Sequence, residues 1–192
     1  PIQPTLYLIT GISFSLTNQH LKAIEVMQTG LNYVVNNKGL KADFYSYLGN
    51  SFHELLEYEK SDEYYEKSLD LLPKNPLVLN NYSYFLSLRS TKLEQAEGYS
   101  KKSIELSPNE PNYFDTYGWI LYKLSRYVEA QIWLEKAVML LPNSPVILEH
   151  YGDVLYKLGE TEKALSYWKK AENKGGETEW LNQKIRERTL YE

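Results

Sequence analysis

The residues able to do chemistry are few in this 192-residue chain: there is no cysteine, and His20, His53 and His150 are its three histidines. Without cysteine there is no disulfide framework, thiolate metal site or thiol nucleophile. His53-Glu54-Leu55-Leu56-Glu57 begins like the signature of a zinc protease, in which two histidines one helical turn apart hold the metal. Here Glu57 stands where the second histidine belongs, so the ligand count fails. Glu149, His150 and Asp153 fall within one turn, but in this pattern they read as a hydrated acidic helix face and not as a cation site. Gly175-Gly176 lacks the Lys-Ser or Lys-Thr that follows a phosphate-cradling loop. The serines have no identifiable His and Asp partners, and Asn81-Tyr82-Ser83, a glycosylation tripeptide in form, lies in a predicted helix. The expectation is a chain with no enzymatic activity, no metal and no cofactor.

Charge narrows the partners. A net charge of −4 and a pI near 5.5 disfavour nucleic acid and anionic membranes, which need a dense basic footprint. The stretch from Ile2 to Leu16 is uncharged, yet Gln3, Thr10, Gly11, Ser13 and Ser15 interrupt it and it is too short to span a bilayer.

The elements that carry these residues repeat. Gly118 and Gly152 are 34 residues apart, and so are Ala130 and Ala164, Ala137 and Ala171, Tyr117 and Tyr151, and Leu121 and Leu155. Pro73, Pro108 and Pro142 keep a spacing of 35 and 34. A period of this length means stacked supersecondary units that bury a continuous core only together. The units read as 4–37 (divergent), 42–75, 77–110, 111–144 and 145–178, with a capping helix over 178–190. In the helical hairpin of the tetratricopeptide-repeat family, which these units resemble, a small residue at the eighth position lets the first helix approach the second, alanines at the twentieth and twenty-seventh let the second approach its neighbours, and proline ends it. Tyr84, Ser61, Ser68 and Ser103 depart from this pattern, so the second and third hairpins are expected to pack differently.

These marks resemble the tetratricopeptide repeat (TPR) family over nearly the whole chain. The fold this implies is all-α, a right-handed superhelix of five helix-turn-helix repeats plus the carboxyl-terminal capping helix. In that helix Trp180, Leu181 and Ile185 should face inward, and Lys184, Arg186, Glu187 and Arg188 outward. The carboxyl end then reads as complete, whereas Leu6, Leu8, Ile9, Ile12, Phe14 and Leu16 surround the first helix and call for a preceding repeat or a partner to cover it.

The resemblance also implies a site. In TPR proteins, positions 2, 5, 9 and 12 of each first helix line the concave face. Carried over, these are Asp43, Ser46, Asn50 and His53, then Val78, Asn81, Phe85 and Leu88. In the last two units they are Asn112, Asp115, Trp119 and Tyr122, then Val146, Glu149, Asp153 and Tyr156. The groove residues that follow are Asn50, His53, Asn81, Phe85, Asp115, Trp119, Tyr122, Glu149, Asp153 and Tyr156, with Tyr122 and Tyr156 expected to be exposed. Trp119 and Phe85 are equally well read as packing between neighbouring first helices. Asp43, Asp115, Glu149 and Asp153 stand where chaperone-binding relatives carry lysine or arginine, so a basic or neutral, aromatic-containing segment is preferred over an acidic terminus.

The leading expectation is a protein-protein interaction scaffold that takes an extended peptide or partner segment. The alternatives are a structural spacer or homodimer using the apolar amino-terminal repeat, and a non-catalytic module of a larger enzyme. Leu79-Asn80-Asn81-Tyr82-Ser83-Tyr84-Phe85-Leu86 and the Tyr-, Asn- and Lys-rich composition are similar to the carboxyl-terminal TPR regions of Bacteroidota envelope lipoproteins. That would imply a lipid anchor upstream, a periplasmic location with the cytoplasm as alternative, and a secretion or gliding complex.

Overall fold

A computed structural model describes residues 3–191, so Pro1 and Ile2 of the uncharged opening stretch lie outside the described residues. Among the described residues all regular structure is helical. The helices are α1 (Pro4–Leu16), α2 (His20–Leu31), α3 (Lys38–Glu54), α4 (Tyr58–Leu71), α5 (Pro76–Leu88), α6 (Leu93–Leu106), α7 (Pro111–Lys123), α8 (Tyr127–Leu140), α9 (Pro145–Lys157), α10 (Thr161–Asn173) and α11 (Glu179–Glu187). None is long and apolar enough to cross a membrane.

Local chemistry starts several of the helices. Pro4, Pro76, Pro111 and Pro145 stand at first helical positions, where the missing N–H would be unpaired anyway. The Asn37 side-chain Oδ1 and the Thr178 hydroxyl accept from the amides of Leu40 and Leu181, at 2.9 and 3.1 Å. Tight turns join α1 to α2, α3 to α4, α7 to α8 and α9 to α10, and each contains one left-handed residue: Asn18, Leu56, Ser125 and Gly159. Only the last of the four is glycine.

The chain forms two compact units, divided after Tyr82 within α5. In the first, α1 packs on α2, α2 on α3 and α3 on α4, around Leu8, Ala23, Met27, Phe44, Leu48 and Phe52. In the second, α6 through α11 pack in chain order, around Leu121, Leu134, Leu148, Leu155, Trp168 and Leu181.

The interhelical spacing follows one rule. A Cβ built on Gly118 would stand 2.6 Å from Leu134 Cγ, and one on Gly152 would stand 2.5 Å from Trp168 Cδ1. Gly11 meets Met27 and Gly49 meets Tyr65 in the same way, always the residue 16 further on. The third hairpin exchanges the sizes: Tyr84 occupies the glycine position and fully buried Ser100 the bulky one. A volume swap of this kind keeps a core filled.

Candidate protein-binding face

Buried polar pairs recur down the first helices of the second unit. On α7, Asp115 Oδ1 lies 2.9 Å from His150 Nδ1 on α9. One repeat on, Glu149 occupies the place of Asp115 and Lys184 that of His150, and the Lys184 ammonium donates to Glu149 at 2.9 Å and to both Asp153 oxygens at 2.9 and 2.8 Å. Trp168 Nε1 donates to Asp153 at 2.8 Å, and the Thr178 hydroxyl donates to Glu149. Asp153 accepts from both a cation and an indole, so its lone pairs are met despite burial.

Burial opposes the charged form of His150, but Asp115, and behind it Asp153 and Glu149, outweigh that penalty and raise the imidazole above its ordinary 6.5. For Asp153 burial dominates and raises the carboxyl, against the pull of Lys184. The Lys123 ammonium is lowered by burial and by the neighbouring Lys157 and Lys184.

Beside this ladder stands an aromatic stack. The Trp119 ring lies between His150, at a centroid distance of 4.0 Å, and Tyr122, at 4.7 Å, with interplanar angles of 15° and 7°. Lys123 caps the indole at 4.8 Å. Trp119 Nε1 is buried and has no hydrogen-bond acceptor among the described residues. The reason is positional. At the same place in other repeats Asn50 and Asp153 accept hydrogen bonds from Tyr65 and Trp168, 15 residues on; Trp119 is itself a donor, and the residue 15 on is Leu134.

Several expectations change. Tyr122, expected at the surface, is 3% exposed and held by Trp119 and Tyr127. Tyr156 is half-buried, its hydroxyl 2.9 Å from that of Thr189. Asp115, Glu149 and Asp153 are buried and paired, so they do not present a free acidic surface in this unit. Lys184, expected outward, is 3% exposed, because two carboxylates draw it in, whereas Trp180, expected inward, is 44% exposed and stacks on Tyr191. What remains open along α7 and α9 is Asn112, Val146 and Lys157.

In the first unit Asn50 is half-buried, His53 is buried with its ring 5.4 Å from Tyr58, and Asn81 is half-buried beside Asn80. Phe85, in the second unit, is half-buried against Tyr84. The described residues contain no group of three or more metal-ligating side chains.

No family model matches the chain, and no curated protein does. Solved structures do. PilW, a widely conserved type IV pilus biogenesis factor, is 16% identical over 96% of this chain and 85% of its own, with a TM-score of 0.83. Pseudomonas aeruginosa PilF is 22% identical over 96% and 86%, with a TM-score of 0.78. A thermophilic TPR protein of Thermus thermophilus, TTC0263, is 16% identical over 97% and 98%, with a TM-score of 0.77. At these identities the likeness establishes the fold: the chain has the all-α architecture of a TPR solenoid.

Proposed function

We propose that this chain is a non-catalytic protein-binding scaffold, and that the face of α7 and α9 around Trp119 receives an extended segment of a partner. The observation that carries this reading is the unmet Trp119 donor, set in a ladder whose other polar groups are satisfied. A buried N–H without an acceptor costs stability, and a backbone carbonyl supplied by a peptide would meet it once the side chains that cover the nitrogen swing aside. Because Asp115, Glu149 and Asp153 are already paired, the preferred segment is neutral and aromatic-containing, and acidic residues in it would be tolerated near Lys123 and Lys157. Asn50, His53, Asn81 and Phe85 belong to the same reading as further contacts in their own units. The lipoprotein resemblance makes a bacterial envelope assembly the first place to seek the partner, and the fold neighbour PilW, a type IV pilus biogenesis factor, adds pilus-type assemblies to that search.

Affinity capture from the source cells tests this, comparing the native chain with Val146→Arg plus Tyr156→Ala at unchanged helical circular dichroism. A partner retained only by the native chain supports the face; one retained by both refutes it.

A second reading, self-association through α1, is favoured by one observation. Leu6 and Ile9 are 58% and 54% exposed, whereas Phe44, Tyr113 and Ile147, in the position of Leu6, are buried on helices that each pack against a preceding one.

A further inference from the structure

The second helix of each hairpin turns a line of residues outward, and at the repeat spacing three of its positions can be followed along the chain. They are Glu59, Glu63 and Asp70 in α4, and Glu162, Ser166 and Asn173 in α10, all exposed; α6 carries Glu94 and Glu105 on the same line. In α8 they are Val128, Ile132 and Met139, exposed by 65%, 50% and 76%. The inner face of α8 is already filled by Ala130, Leu134 and Ala137, all fully buried, so the outer line does nothing for the hairpin's own packing. In α2 the first of these positions is the exposed Leu21 and the second is Glu25, so α8 alone among these helices is apolar at all three, and an apolar line where the others carry acidic or polar residues marks an interaction surface.

We propose that this outer face of α8 is a dimerisation surface, occupied by α8 of a second copy of the chain lying antiparallel to it. Val128, Ile132, Glu135 and Met139 step by four, three and four residues, the spacing of a two-helix seam. Charge selects the direction. A parallel pair would set Glu135 against Glu135. An antiparallel pair centred between Ile132 and Glu135 sets Val128 opposite Met139 and Tyr127 opposite Leu140. It also brings Glu135 alongside Ile132, one turn from the exposed Lys136 of the other copy. The helix thus carries both the apolar residues and the acid–base pair that its antiparallel copy needs, whereas the acidic lines of α4 and α6 would repel their own copies. A contact of a few side chains per copy belongs to the weak, concentration-dependent class.

Sedimentation equilibrium at rising concentration tests this. The native chain is expected to dimerise, and Ile132→Glu to raise the dimer dissociation constant about tenfold or more with circular dichroism unchanged, the site being exposed. Lys136→Glu should weaken the dimer and Glu135→Lys with Lys136→Glu restore it. Orientation is read by cysteine cross-linking in this cysteine-free chain: Val128→Cys with Met139→Cys should cross-link and Val128→Cys alone should not. A chain monomeric at every concentration overturns the proposal. So does a dimer that survives Ile132→Glu, including one lost instead with Ile9→Glu on α1, or one that cross-links through Val128→Cys alone.

Discussion

Gly152 is where a single methyl group tells most about this fold. Its Cβ would stand 2.5 Å from the rigid Trp168 ring and 3.3 Å from the Ala164 carbonyl, and neither can yield cheaply. Gly152→Ala should therefore cost about 1–3 kcal/mol in urea denaturation, the usual penalty of overpacking. Leu56 is the opposite case: it is left-handed at φ 61° and exposed, so its side chain strains the turn without packing. Leu56→Gly should stabilise the chain by about 1 kcal/mol, read as a higher denaturation midpoint. His150 supplies a pH test. Since its folded pKa is raised, its contribution to stability is fully present below the ordinary 6.5 and is lost as pH rises through the folded value. Asp115→Asn removes the largest attraction, so the imidazole should titrate lower than in the native chain and its contribution to stability below 6.5 should shrink. An NMR titration of His150 in both proteins checks this.

At the scale of elements, α11 is held by its lysine as much as by its apolar side. Lys184→Met leaves Glu149 and Asp153 buried without their cation, and should cost about 3–5 kcal/mol, with α11 the first helix to lose hydrogen-exchange protection. This is also where sequence reasoning fell short. The glycines, alanines and prolines at 34-residue spacing make the helical hairpins legible, because backbone approach leaves a mark in residue size. Helix faces defined by charge are less legible: Lys184 reads as solvated by type, and only its 34-residue offset from His150 betrays that it takes a histidine's place in a buried pair. Trp180 reads as core by type and is instead exposed, stacked on Tyr191. The position rule that selected Trp119, Asp115 and Asp153 found residues that cluster, but could not distinguish open groove from buried packing, which depends on neighbours one repeat away. The apolar line of α8 was equally visible, as a difference between repeats instead of a likeness.

For the molecule as a whole, the TPR fold carries a proposed binding face centred on one unmet indole donor. The most direct measurement follows the Trp119 Nε1–H resonance, assigned through Trp119→Phe, while the captured partner is titrated in. The resonance should move downfield as the site saturates, and Trp119→Phe, which keeps an aromatic ring at this place and deletes the donor, should weaken the partner about tenfold. A partner that saturates while this resonance stays in place, and that binds Trp119→Phe as tightly as the native chain, would contradict the proposed face.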